Sequence, residues 1–79
     1  MKVEVRFFAR CREIAGKEQK KVEIEDGMML KDLMDLLIKE YPDLKNETLI
    51  VSLNRSYVKH EAKLKDNDEI AVFTPVSGG

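Results

Sequence analysis

Apolar residues recur along this chain at two different periods, and the change from one to the other restricts the available folds more than any other feature. From Lys2 to Ala9 polar and apolar side chains alternate strictly, with Val3, Val5, Phe7 and Ala9 on one side and Lys2, Glu4 and Arg6 on the other. A period of two predicts a strand with one buried face. From Leu30 the spacing becomes helical. Leu30, Leu33, Met34, Leu37, Ile38 and Tyr41 share one side, opposite Lys31, Asp32, Asp35 and Lys39. Pro42 stops this helix and biases Tyr41 away from helical backbone. Met28 and Met29 occupy the cap region, where the absence of Ser, Thr or Asn costs about 1 kcal/mol.

Weaker signals fill the remainder. Residues 10–16 read as a short helical turn or loop ending at Gly16, and Lys20 to Glu25 alternates around Val22 and Ile24, making a wide hairpin with the first strand. Asp43 to Glu47 reads as a polar loop, and Leu49 to Leu53 as a strand. Asn54-Arg55-Ser56 turns into a short strand at Tyr57-Val58, and Asp66-Asn67-Asp68 turns into a last strand from Glu69 to Thr74. This order predicts an α+β fold, a mixed sheet of about five strands with one main helix across one face. A folded unit over residues 1–74 followed by a flexible tail over 75–79 is the expected division.

Parity places Phe8 on the face of Lys2, Glu4 and Arg6, and Phe73 on the face of Glu69 and Ala71. If the first and last strands pair in parallel at the centre, both rings emerge on the side without the helix. Such a patch serves equally as an interface or as a shield over an open sheet.

Composition removes whole classes of function. With 79 residues, 43% apolar and 37% charged, the chain has material for one small core and little for a deep substrate pocket. Fourteen basic against 15 acidic residues leave a net charge of −1, which gives no overall attraction to nucleic acid or to an anionic membrane. No apolar run approaches the length of a spanning helix or a signal-peptide core. One cysteine, Cys11, and one histidine, His60, exclude an internal disulfide and a protein-only His and Cys metal cluster, and the expected location is cytoplasmic.

The last six residues offer chemistry of another kind. The sequence closes Thr74-Pro75-Val76-Ser77-Gly78-Gly79, placing two of its four glycines at the end. Gly78 and Gly79 have nothing to pack, but they make a backbone slender enough for a channel that excludes any Cβ. An α-carboxylate titrates near 3.5, so at neutral pH it is an anionic nucleophile able to attack the α-phosphate of ATP held by another protein. The acyl adenylate formed would accept sulfur, giving a thiocarboxylate, or an amine, giving an amide. A frayed end or an expression scar has the same sequence.

The segments FFARCREIAG (7–16), LNRSYV (53–58) and LKDNDEIAVFTPVSGG (64–79) give the chain a resemblance, over nearly its whole length, to the MoaD/ThiS family of ubiquitin-like sulfur carriers. The first and last segments favour its molybdopterin synthase branch. The resemblance implies a β-grasp fold and a non-catalytic, sulfur-donating subunit of a heteromeric sulfurtransferase. Gly79 would be adenylated by a MoeB-like activating enzyme that consumes ATP, then thiocarboxylated with sulfur from a donor system. A MoaE-like large subunit would receive the tail, Pro75, Val76, Ser77 and Gly78, and pass the sulfur to a pyranopterin precursor of the molybdenum cofactor. Phe8, Tyr57 and Phe73 match the family's partner contacts. No cofactor, metal, nucleic acid or membrane is implied for the chain itself. A thiamine-pathway carrier, or a protein modifier joined to lysines through Gly79, shares the same first step. Three positions depart from the family pattern: Thr74 replaces a frequent proline, Asn67 a frequent glycine, and Met29 a frequent capping residue.

Other reactive residue types read as bystanders. Cys11 has no histidine near it in sequence, and only Arg10 and Arg12 hint at a lowered pKa. His60 lies in a polar stretch. The Asp66-Asn67-Asp68-Glu69 run lacks the layout of a calcium loop, and Lys17, Lys20 and Lys21 read as a solvated face.

Overall fold

The computed structural model describes residues 1–59 and 61–75. Its elements are β1 (Lys2–Phe7), α1 (Ala9–Ala15), β2 (Gln19–Glu23), α2 (Leu30–Glu40), a 3-10 turn (Pro42–Asn46), β3 (Ile50–Leu53), β4 (Ser56–Tyr57) and β5 (Glu69–Phe73). The strands join in the order β2-β1-β5-β3-β4. β1 and β5 run parallel at the centre, with Phe7 beside Val72, while β2 lies antiparallel to β1 and β3 antiparallel to β5. This is the β-grasp arrangement expected.

The alternation of β1 does what its parity predicts. Val3, Val5 and Phe7 are buried with Ile70 and Val72 of β5, against Leu30, Leu33, Met34 and Leu37 of α2. The strand ends before Ala9, the last residue of the alternating pattern, because Ala9 adopts φ 48° and swings the chain into α1. That short helix ends as the sequence indicates, with Gly16 at φ 74° donating its N–H to the Arg12 carbonyl at 2.8 Å. Asn67, in the place of a common glycine, stands at φ 69°, a region asparagine tolerates.

Two local expectations are corrected. Residues 43–47 are not simply a polar loop: the 3-10 turn over Pro42–Asn46 carries Leu44 fully into the core. One apolar residue among polar ones leaves no periodic signal. Lys20 is not part of a solvated face either. It sits opposite Val5, on the core side of β2, and its stem runs back over α2, where the ammonium meets the Glu40 carboxylate and lies 5.5 Å from the Tyr41 ring centroid.

The start of α2 is better served than its sequence suggests. Met29 provides no side-chain cap, yet the Asp32 carboxylate accepts the Met29 N–H at 2.9 Å, and the Leu30 N–H donates to the Ala62 carbonyl at 2.8 Å. One local carboxylate and one distant carbonyl thus satisfy two of the N–H groups that the start of a helix leaves without intrahelical partners. Met29 has extended backbone, φ −99° and ψ 163°, which a threonine adopts readily. Met29→Thr is therefore expected to stabilise the fold by about 0.5–1 kcal/mol, read as a rise in the urea midpoint without a change in slope.

Candidate functional site

The face of the sheet turned away from α2 divides into two halves. On β2 and β1 it presents Gln19, Lys21, Glu23, Lys2, Glu4 and Arg6 in cross-strand register. Arg6 lies 3.8 Å from both Glu4 and Glu69, and Arg55 3.9 Å from Glu69. These exposed pairs contribute little energy, but they balance the charge along one border. On β5, β3 and β4 the same face carries Ala71, Phe73, Ile50, Ser52 and Tyr57, again in register. The face thus changes from charged to apolar across neighbouring strands, the pattern that a contact surface requires.

Its rings are placed by backbone geometry. Phe8 follows β1 with extended backbone, donates its N–H to the Val72 carbonyl at 3.1 Å, and is 46% exposed. Phe73 is half-buried and opposite Ile50. Tyr57, on the two-residue strand β4, is 75% exposed with its ring centroid 6.4 Å from that of Phe73. Parity brings Phe8 and Phe73 to the same face, yet the close aromatic pair there is Tyr57 with Phe73. Sequence periodicity held no sign of this, since a two-residue strand has no alternation; the LNRSYV match is what pointed to Tyr57.

β5 delivers the chain from this surface into its last residues. Thr74 is half-buried and Pro75 exposed. Val76, Ser77, Gly78 and Gly79 lie outside the described residues, as does His60. Gly79 is the sixth residue after Phe73, so covalent geometry limits its carboxylate to about 20 Å from the ring-bearing strand. A partner seated on Tyr57 and Phe73 has the whole tail within reach.

The bystander residues are accounted for. Asp66 accepts the Lys2 N–H at 2.8 Å and Asp68 the Lys65 N–H at 2.7 Å, so this acidic run ties turns together. Among the described residues no group of three or more His, Cys, Asp or Glu is arranged to hold a metal ion, and no helix is long and apolar enough to cross a membrane.

Cys11 is fully buried. Arg10 is engaged by Glu13 and Glu47, and Arg12 by Glu18, so the flanking guanidinium groups do not activate the thiol. Burial, with a smaller contribution from the Glu47 charge, pushes the thiol pKa up. An acid whose pKa is higher folded than unfolded stabilises the fold at low pH and loses that contribution as pH rises past the unfolded thiol value of about 8.5. Cys11 is therefore expected to stay unreactive toward an aromatic disulfide reagent at pH 8 until denaturant is added; prompt reaction in native buffer would contradict its burial.

Comparison with known proteins adds a family and three relatives. The ThiS family model matches residues 5–79. The chain is 39% identical over 83 aligned residues to the molybdopterin synthase sulfur carrier subunit of Chlamydomonas reinhardtii, with 100% of both chains covered. Among solved structures, a Pyrococcus furiosus protein assigned as molybdopterin converting factor subunit 1 superposes with a TM-score of 0.90 at 31% identity, covering 96% of this chain and 99% of its own. The complex of subunits 1 and 2 of the Helicobacter pylori molybdopterin-converting factor contains a chain 33% identical, with a TM-score of 0.72 and 100% of both chains covered.

Proposed function

This chain belongs to the ThiS family, and from that premise we propose that it is the sulfur carrier subunit of a molybdopterin synthase, with Gly79 as the atom-bearing end of the reaction. The observation that carries the reading is the half-apolar open face, where the Tyr57 ring stands beside that of Phe73, on the strand that leads directly into the Gly78-Gly79 tail. The chain is not an enzyme by itself. It is the substrate-like subunit on which partners act.

The Gly79 carboxylate attacks the α-phosphorus of ATP held by a MoeB-like activating enzyme, and pyrophosphate leaves. Sulfide-level sulfur supplied by a donor system then attacks the acyl adenylate, AMP leaves, and a thiocarboxylate results with no change of oxidation state. In the active site of a MoaE-like large subunit, the thiocarboxylate sulfur attacks a carbon of the pyranopterin precursor, and the oxygen substituent on that carbon leaves with its bonding electrons. Water cleaves the acyl–sulfur bond and returns the carboxylate. Each cycle delivers one sulfur, so a dithiolene consumes two charged carriers. Neither Gly78 nor Gly79 presents a Cβ to the channel, and Pro75 stiffens the exit from β5. Phe8, Tyr57 and Phe73 serve both partners as the docking surface. ATP is consumed by the activating partner, this chain holding no cofactor or metal of its own, and the location is the cytoplasm, where a lone buried thiol such as Cys11 is usual.

Intact mass of the full chain co-expressed with its native activating enzyme, followed by fragmentation, tests this. The expected result is exchange of one oxygen for sulfur, localised to Gly79. An unmodified carboxylate, with an active partner and a sulfur source present, contradicts it. Lysine-linked adducts through the Gly79 carbonyl would identify a protein modifier.

A further inference from the structure

The turn that carries Tyr57 is held in a way its two-residue strand cannot explain. β4 makes only the pairs Ser52 with Tyr57 and Leu53 with Ser56, and the two residues between the strands, Asn54 and Arg55, stand at φ 49° and 69°. Left-handed backbone at both central positions is the hairpin geometry that normally takes glycine second. Arginine there is strained, and such strain persists only where the surrounding structure over-determines it.

Beside the β3–β4 pairs and the exposed Arg55–Glu69 ion pair, that restraint comes from the hydrogen bonds of Asn54. The Asn54 Oδ1 accepts the Glu69 N–H at 2.9 Å, its Nδ2 donates to Asp68 Oδ1 at 2.9 Å, and its backbone N–H donates to the Glu69 carbonyl at 2.7 Å. Asp68 is itself buried, and its second oxygen accepts the Lys65 N–H at 2.7 Å, so the carboxylate that holds Asn54 cannot rotate freely. The turn is thereby fastened to the first residue of β5, the strand that bears Phe73.

We propose that Asn54 is a positioning residue for partner docking, fixing the β3–β4 turn to the start of β5 so that the Tyr57 ring stands against Phe73. This rests on the reading of Tyr57 and Phe73 as docking rings. Asn54 itself touches no partner; it acts through the ring three residues on. Asn54→Gly keeps the left-handed dihedral and removes both side-chain bonds, which makes it the discriminating substitution.

The test uses the full-length chain and its large subunit. Calorimetry gives the Kd of wild type, Asn54→Gly, Tyr57→Ala and the double variant, and proton NMR of the free wild type and Asn54→Gly reports whether the Tyr57 and Phe73 rings stay side by side. Asn54→Gly is expected to separate the two rings while remaining folded, and to weaken binding about tenfold. In the Tyr57→Ala background it is expected to add less than about twofold, because the two substitutions remove one and the same effect. Rings still adjacent in Asn54→Gly, a Kd within about twofold of wild type, or effects that multiply in the double variant would each overturn the proposal. Should Tyr57→Ala bind as wild type, the docking reading fails and the proposal with it; rings that separate in Asn54→Gly then show that the failure lies in docking and not in the turn. If Asn54→Gly does not fold, Asp68→Ala, which severs the Nδ2 bond alone among those of Asn54, takes its place with the same expectations.

Discussion

Removal of Gly79 is expected to leave the fold and its stability intact while reducing sulfur transfer at least about a hundredfold. The first half follows from where the core ends. Val72 is the last fully buried residue of β5, Phe73 and Thr74 are half-buried, and Pro75 is exposed, and the residue deleted, four positions further on, has no side chain to contribute to a core. The expected change in stability is within about 0.5 kcal/mol. The second half follows from chain length. The truncated chain still ends in a glycine carboxylate, Gly78, with unchanged intrinsic reactivity; it ends about 3.5 Å short. Misplacing a reacting atom by even ~1 Å costs on the order of a hundredfold, since the orientation built by the partner is lost. The measurement is turnover of the reconstituted synthase beside a thermal melt of the free subunit. Wild-type turnover by the truncated chain would move the chemistry away from the terminus, whereas a lowered melting temperature would mean that the tail contributes to the fold.

The fold was legible wherever burial imposes a period. β1 and α2 could be read residue by residue because each has one wet and one dry side: Val3, Val5 and Phe7, then Leu30, Leu33, Met34 and Leu37, are buried as their spacing required. Legibility failed where a residue's environment is set by distant chain. Leu44 is buried in the common core by a turn that packs against the distant α1 as well as against α2, and Lys20 is drawn from solvent by Glu40, twenty residues away. The cap of α2 depends on Ala62, and the hairpin at Asn54 on Asp68 and Glu69. For the site, parity alone put Phe8 and Phe73 on the open face, but the partner of Phe73 in space is Tyr57, which became visible only through the match of LNRSYV to a known family. The two terminal glycines are a different case. Their meaning rests on the absence of side chains, which no packing pattern records.

Phe7 and Phe8 are adjacent in sequence and identical in chemistry, so substituting each by alanine separates the core from the docking face with the residue type held constant. Phe7 is 2% exposed and meets Tyr41 edge to face, with centroids 5.8 Å apart and planes at 79°. Its N–H points toward β2, to the Glu18 carbonyl at 2.8 Å, while that of Phe8 points toward β5; alternation of the backbone sends one ring inward and the next outward. Emptying the Phe7 site leaves a cavity between β1 and α2 and is expected to cost about 3–5 kcal/mol. A domain of this size has a total stability of roughly 4–12 kcal/mol, so Phe7→Ala should lose a large share of it, read as a melting temperature lowered by about 12 °C or more by circular dichroism. Phe8→Ala should melt within a few degrees of wild type, as expected for a change of about 0.5 kcal/mol or less at an exposed ring. Its effect should emerge instead in affinity for the large subunit, at least about tenfold if the ring is a central anchor of the docking surface. Equal destabilisation by the two substitutions would show that Phe8 packs inward and that the open face has been assigned the wrong rings. Wild-type affinity of a stable Phe8→Ala would leave Tyr57 and Phe73 as the anchors and confine docking to the β5–β4 half of the face.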